Sequence, residues 1–442
     1  MGQLNNAGIV LLQGELSATL KALNSPYFYF RTLIREGLVG NLTAAVLTAN
    51  ILKAGYPAPA VVNVQNPRQV GRMGFFKVGL CTVNDVQTFE ALRNNYLTFS
   101  QKCGSMVIGG QLPSRAPEKF LEAFPGANIF VGECEGSMGK VLESVERGIR
   151  DVVWEAAPVD IFSDYLLPVR GNRRIVWPVE LGRGCKRACP YCPLPPSMRR
   201  VRERDSEQVV EEIESLKNIL FVDPNLMAYS YEYLYKIFYF IAKHKKTWGG
   251  EGVIVDALRL PSDLFDLMFR TCIGFMVGVE DPELYSLHQG KFDGRLLPTK
   301  HGYVRVYSFI LGHPEQKVRH FRRMLDLVRS NSLTAVFHIY SPFCGTPDYE
   351  KAKRNGMLLN SDPAHFNRRQ VAVRGSMAPV RAKELFMRVR RKAFTLSGTL
   401  QEAMRILRDS DHYTLAFFRV VLLLGLRLIP FRIKKSKHWY KK

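Results

Sequence analysis

The chain has 442 residues, 46% of them apolar and 23% charged, which is enough for two or three packed domains and excludes a disordered chain. Eight cysteines without a recognisable leader segment fit a reducing, cytoplasmic setting and argue against a disulfide framework. The net charge of +22 is unevenly placed: Ser361 to Lys442 holds 19 Lys and Arg against 5 Asp and Glu, a basic segment able to face nucleic acid, an acidic partner or anionic lipid.

In chain order, an apolar run from Ala7 to Leu12 is followed by an aromatic-rich passage, Tyr27 to Phe30. Helical periodicity from Leu42 to Ala54 stops at Gly55. Strands are then expected at 60–64, 77–81, 105–108 and 128–131, with helices at 86–99, 117–124 and 138–145 between and after them. Such alternation implies an α/β domain over residues 1–150, a doubly wound parallel sheet whose ligands bind beyond the carboxyl ends of the strands. Residues 151–172, with Pro158, Pro168 and Gly171, read as a linker.

A strand at 175–179 then runs into Gly182-Arg183-Gly184-Cys185, with Cys189 and Cys192 beyond. Three thiols spaced C-x3-C-x2-C in one loop suit three corners of a cubane iron–sulfur cluster, whose fourth iron stays open. A tetrahedral zinc site would want a fourth ligand, and no Cys or His follows within the next forty residues. The other cysteines, Cys81, Cys103, Cys134, Cys272 and Cys344, read as small buried apolar residues. Further strands are expected at 218–222, 253–258, 275–280, 303–311 and 333–340, with helices at 206–216, 231–243 and 264–270. Six such repeats over residues 173–350 make a partial (β/α)6 barrel with its chemistry at the carboxyl-terminal rim. Residues 351–442 are helical and basic. Their apolar part, 412–430, is interrupted by Arg419 and Arg427 and falls short of the roughly 20 apolar residues that span a bilayer. It reads either as an element lying in a lipid headgroup layer, given the Lys-rich, aromatic end that follows, or as a packed terminal helix with a solvated tail.

These motifs together resemble the radical S-adenosylmethionine superfamily, in the class whose barrel follows a cobalamin-binding domain of Rossmann or flavodoxin-like type. Cys185, Cys189 and Cys192 match the cluster ligands, and Tyr191 stands at the aromatic position before the third cysteine. Val107-Ile108-Gly109-Gly110 with Pro113, and Val131-Gly132-Glu133-Cys134-Glu135, resemble the "GG…P…GEGE" track of the cobalamin domain, where Gly109 and Gly110 would let backbone approach a corrin. Cys134 replaces a glycine of that track, and no Asp-x-His-x-x-Gly signature supplies a lower cobalt ligand. Within the barrel, Asp223 holds the place of the group that meets the methionine ammonium of the cofactor, or else completes an Asp-Pro-Asn turn. Gly278-Val279-Glu280 resembles the "GxE" strand end near the cofactor. Gly312-His313-Pro314-Glu315 is one residue short of the family's Gly-x-Pro-Gly-Glu. Ser341 to Pro347 resembles "P-x-P-G-T-P" with Cys344 in place of a proline, either a rim thiol able to donate a hydrogen atom or touch cobalt, or a filler of proline-sized space. His313 and His338 read as proton shuttles or satisfied structural residues.

The resemblance implies an enzyme with a 4Fe-4S cluster, S-adenosylmethionine and cobalamin, reduced by an external donor such as flavodoxin or ferredoxin. Hydrogen abstraction from an unactivated carbon would be followed by C-methylation of a small molecule, either lipid-like and membrane-borne or a tetrapyrrole, by a cytoplasmic or membrane-associated protein. Radical ring formation or carbon–carbon coupling without methyl transfer stays open. RNA methylthiolation is a further reading, although Cys81, Cys103 and Cys134 match the three second-cluster cysteines of those enzymes in number and not in spacing, and no RNA-binding barrel is appended. Nucleic acid is therefore the less favoured partner. A non-catalytic membrane-surface or nucleic-acid-binding protein with structural cysteines is the last alternative.

Overall fold

The structure, a computed structural model, describes residues 8–13, 42–162, 165–168, 176–284, 294–410 and 413–427. Its first sheet is built from β1 (Ile9–Gln13), β2 (Ala60–Asn63), β3 (Phe76–Thr82), β4 (Cys103–Gly109), β5 (Ala127–Val131) and β6 (Val153–Glu155). All pairings are parallel, in the order β2-β1-β3-β4-β5-β6. Strand β1 is buried at all five positions and apolar at the first four, with Gln13 at its carboxyl end, as suits a strand covered on both faces. The helix Val86–Lys102 starts where the Asp85 side chain accepts the Thr88 amide at 2.9 Å. Strand order reverses between β1 and β3, which opens a crevice at the carboxyl ends of these strands. Strand β6 falls in the segment expected to be a linker; at three residues it carries no periodicity to read. Tyr27 to Phe30 and the Lys-rich end beyond residue 427 lie outside the described residues.

The second sheet consists of β7 (Val176–Val179), then, after a two-residue hairpin of β8 (Gly182–Arg183) and β9 (Arg202–Glu203), of β10 (Asn218–Phe221), β11 (Thr247–Val253), β12 (Cys272–Glu280), β13 (Val304–Leu311) and β14 (Thr334–Ile339). The order β7-β10-β11-β12-β13-β14 is parallel throughout and gives the expected partial barrel. Its outward residues, such as Trp248, Phe275, Val277, Tyr307 and Phe337, form the main core with the surrounding helices, and the Trp248 indole donates to Met268 O at 2.8 Å. Strand β11 precedes its expected position, because Gly249, Gly250 and Gly252 hide its strand character and the apolar residues after Val253 start a short helix, Ile254–Ala257.

Several of the inward residues are small. Pro178, Gly249, Gly274, Gly278 and Ser308 line open space where a closed barrel packs bulky layers. The helix Tyr413–Arg427 floors this lumen at the amino-terminal ends of the strands. A Cβ on Gly274 would stand 3.0 Å from Leu422, and Leu423 packs on Val304, Val306 and Val336. Arg419, fully buried, donates to Cys272 O at 2.9 and 2.7 Å, to Arg270 O at 3.2 Å and to His301 O. Arg427 donates to Thr334 Oγ1 at 3.1 Å, Gly398 O at 2.8 Å and Ser332 O. The two arginines that interrupt the apolar run are therefore its anchors, and residues 413–427 are a packed helix. Among the described residues no helix is long and apolar enough to cross a membrane. Replacing Arg419 by Met strands several buried carbonyls at about 1–3 kcal/mol each; a urea midpoint lowered by about 3 kcal/mol of stability is expected, and an unchanged midpoint would show that the floor is held otherwise.

Candidate active site

The cluster loop owes its shape to two glycines. A Cβ on Gly182 would stand 2.2 Å from Arg202 O, and one on Gly184, at φ +106°, 2.0 Å from Arg200 O, so only glycine lets the hairpin close. Cys185 N donates to Met198 O at 2.9 Å, Cys192 N to Cys189 O at 3.1 Å, and Asp348 N to Pro190 O at 3.0 Å. Cys185 and Cys189 are buried, Cys192 is half-buried, and all three line one cavity. Burial raises the Cys185 thiol, opposed by the Arg187 amide and the nearby charges of Arg199 and Arg187, while Cys192 pushes it further up. Arg115 also faces Cys192. A thiol set that feels itself and is ringed by guanidinium groups suits an anionic cluster. Among the described residues no three His, Cys, Asp or Glu side chains close on a single ion; in a cubane each thiolate would meet a different iron.

The acids of the Gly132-Glu133-Cys134-Glu135 track meet the cluster hairpin. Buried Arg183 pairs with Glu135 at 2.5 Å, Glu180 at 3.1 Å and Glu133 at 3.4 Å. Arg202 donates to Glu133 at 2.9 Å and to Val159 O at 2.6 Å. Neighbouring guanidinium groups and the Val159 amide hold the Glu133 carboxyl below its ordinary value although burial pushes the other way. These acids fasten the first sheet to the cluster loop. Sequence reasoning missed Arg183 and Arg202, although an arginine between two glycines is a local signal.

The cavity, about 1670 Å³, runs from the carboxyl ends of β1, β3, β4 and β5 past the three cysteines into the barrel. Gly109 and Gly110 line its upper end. Gly110, at φ +112°, is demanded by the turn itself, since a Cβ would stand 2.7 Å from Asn84 Oδ1 and 2.9 Å from Val83. Inside the barrel stand Glu251, Glu280, His338 and Arg368. The "GxE" pair has a mechanical basis: Glu280 takes a left-handed φ of 64° and folds its carboxylate over Gly278, where a Cβ would lie 2.7 Å from Oε1. Burial raises Glu280 to about 7, opposed by Arg368 and by a hydrogen bond from the Tyr191 hydroxyl. Burial likewise raises Glu251, again opposed by Arg368. His338 is pushed down to about 3 by burial and Arg368 and is neutral, its Nδ1 unpartnered. Arg368 itself sits at φ 60°, a strained position for an arginine. Glu251 among glycines and Arg368 beyond the barrel carry no sequence signal.

Two expected site residues lie elsewhere. Asp223 does not line the cavity: it is 1% exposed, and its Oδ1 accepts from Leu181 N and Gly182 N, both at 3.0 Å, and from Tyr229 Oη at 2.6 Å. It holds the exit of β7, and the role toward a methionine ammonium does not fit that placement. Cys344 is 1% exposed within the core that joins the barrel to the first domain, with burial pushing its thiol up to about 12. It fills space there. His313, its ring 4.6 Å from Tyr340, is half-buried outside the main cavity. Arg187 of the cluster loop is held by Asp256, which also accepts from Asn225 at 2.8 Å.

No family model matches the chain. The ribosomal protein uS12 methylthiotransferase RimO of Thermus thermophilus is 29% identical over 321 residues, 61% of this chain and 68% of that protein. The tRNA-2-methylthio-N(6)-dimethylallyladenosine synthase of a Hydrogenobaculum species is 25% identical over 277 residues, 56% of this chain and 61% of that one. The chain thus spans about two thirds of these curated relatives. Among solved structures, TsrM from Kitasatospora setae, a radical S-adenosylmethionine methyltransferase with cobalamin and a 4Fe-4S cluster bound, matches with a TM-score of 0.63 at 13% identity over 94% of this chain and 98% of its own. OxsB, a cobalamin-dependent S-adenosylmethionine radical enzyme with aqua-cobalamin bound, matches with a TM-score of 0.60 at 14% identity over 87% of this chain and 66% of its own. At these identities the structural likeness establishes the fold.

Replacing Arg183 by Met leaves three carboxylates facing a buried gap and should cost about 3–5 kcal/mol, read from denaturation midpoints; a cost under about 1 kcal/mol would show that the latch is dispensable. Glu280 holds its proton to about 7 in the fold, against 4.5 ordinarily. The unfolded chain therefore releases this proton first, and the group's contribution to stability falls as pH rises from about 4.5 to about 7. The thermal midpoint of the cofactor-free protein should lose part of its pH slope across that window in Glu280→Gln; an identical slope would show that Glu280 titrates normally.

Proposed function

We propose that this chain, a member of the radical S-adenosylmethionine superfamily with an amino-terminal cobalamin-type domain, is an enzyme that abstracts hydrogen from an unactivated carbon of a lipid-like small molecule and methylates it. The observation that carries the reading is the single cavity shared by the switch-point crevice, the three cysteines and the hollow barrel. Cys185, Cys189 and Cys192 would hold a 4Fe-4S cluster, and the crevice rim from Gly109 to Glu135 would hold the corrin. When bound, the cluster supplies the electron that cleaves S-adenosylmethionine to an adenosyl radical, and the corrin supplies the methyl group. The guanidinium groups of Arg115, Arg187 and Arg199 balance negative charge at the cysteines. Glu280 and Glu251 are the lumen carboxylates placed to meet the methionine ammonium, with Tyr191 fixing Glu280 through its hydroxyl. Pairing with that ammonium would lower the raised carboxyls and favour their ionised form. The lumen walls contributed by Leu220, Met276, Val306 and Ile310 favour an apolar guest and leave a radical little to react with but its target.

The curated relatives bring a second reading, methylthiolation of RNA or protein. Against it stands the placement of the three amino-terminal cysteines. Cys81 and Cys103 belong to the core on one face of the first sheet, whereas Cys134 packs with the core on the other.

The test is anaerobic purification with cobalamin supplied during expression. About four irons beside stoichiometric cobalt are expected, together with cleavage of S-adenosylmethionine by the reduced protein. Replacing Cys189 by Ala should remove the 4Fe-4S absorbance and this cleavage. Iron without cobalt would remove methyl transfer and turn the search to ring formation or coupling. Absence of an iron–sulfur spectrum after reconstitution would overturn the reading altogether.

A further inference from the structure

We propose that the outward surfaces of the helices Leu396–Asp409 and Tyr413–Arg427 dock on an anionic lipid bilayer, setting the floor of the lumen against the membrane. The first helix turns apolar side chains to solvent while burying charged ones. Its inner face sets a polar seam beside the buried Ile406: Glu402 pairs with Arg405 at 2.8 Å, and Arg405 donates to Thr299 O and Tyr303 O, both at 2.9 Å. Its outer face is a stripe of Leu396, Leu400, Met404 and Leu407, exposed by 69, 55, 61 and 51%, at the spacing that brings residues onto one side of a helix. A buried polar seam under an exposed apolar stripe means that the apolar side has a partner of its own.

The second helix continues this surface. Phe417 is 63% exposed and, with Leu415, Val421 and Leu422, also lines the lumen's lower end. Both helices lie at the amino-terminal ends of the barrel strands, as the bonds of Arg405 to Tyr303 and of Arg419 to Cys272 show. An apolar outer surface and the floor of the cavity therefore share one end of the molecule.

Charge selects the occupant. Arg391 and Lys392, at the end of the helix Pro379–Lys392 that precedes the stripe in the chain, are exposed, as is Arg408, which pairs with Asp409 at 2.7 Å, and the sequence from 428 to 442 carries six Lys and Arg with no Asp or Glu. A second copy of the chain would set these cations against their like. Nucleic acid would satisfy the cations and leave the leucines in water. An anionic bilayer takes both, with apolar side chains in the acyl boundary and cations among the headgroups. Docking there rests on the surface alone; that the membrane also delivers the substrate rests on the function proposed above.

The probe is sedimentation of the cluster-loaded protein with vesicles of phosphatidylglycerol and phosphatidylcholine, and with phosphatidylcholine alone. Binding to the anionic vesicles, reduced at least tenfold in Leu400→Glu/Met404→Glu with iron content and S-adenosylmethionine cleavage retained, is the expected result. Should that pair fold poorly, Leu400→Ser/Met404→Ser is read in the same way. Binding to neither vesicle, or anionic binding that salt abolishes and the variants leave unchanged, overturns docking through this surface. A doubled mass in light scattering that the variants return to monomer also overturns it, in favour of a second copy. Vesicle binding by protein that takes up no iron would count against the catalytic reading and leave docking intact.

Discussion

Everything about the site depends on one buried guanidinium. Arg183 sits between two glycines that let the hairpin close and gathers carboxylates from both sides of the domain junction. Ion pairs in such surroundings carry a large desolvation cost, and their value lies in geometry more than in net stability. Here the geometry is the distance between the crevice of the first sheet and the three thiols. Under the function proposed above, two cofactors acting on one carbon would tolerate little error in their separation. The latch joins the rim of the first sheet to the loop of the three cysteines. Asp223 works to the same end from beneath, gripping the backbone of Leu181 and Gly182.

The barrel pursues two aims that conflict. Six parallel strands want a filled interior, and a substrate wants an empty one. Gly249, Gly274 and Gly278 with Ser308 and Pro178 resolve the conflict by withholding side chains inside, while Trp248 and its aromatic neighbours Phe221, Phe238, Phe269 and Phe275 concentrate the apolar burial outside. The terminal helix then floors what the strands leave open. Arg419 and Arg427 serve that floor well because a guanidinium presents several donors in a fixed fork and remains charged at any ordinary pH.

Much of this is legible in the sequence. The parallel sheets follow from periodicity, and the cluster loop from its spacing with the glycines around it. What escaped has physical reasons. Glycine in β11 weakens the strand signal where the lumen needs space. Asp223 and Cys344 occupy motif positions whose side chains point into packed protein, and sequence position alone does not distinguish a residue beside a cavity from one facing it. Arg183 with Glu133, and Arg368 with Glu251 and Glu280, are brought together only by folding, since their separations along the chain exceed any local pattern. The apolar stripe of 396–409 could have been seen as periodic, but periodicity does not tell which face turns inward.

The lumen has a length as well as a volume. Gly274, over the floor, and Glu280, at the rim, are six residues apart on one strand, which is about 20 Å of extended backbone. Under the function proposed above, an elongated guest resting on Leu422 would be measured from its lower end, and the atom it presents among Tyr191, Glu251 and Glu280 would be set by the length of β12. Position along the guest would then be a property of strand length and the barrel a gauge: adding or removing a pair of residues in its strands would move the point of attack along the guest without altering a single reacting group.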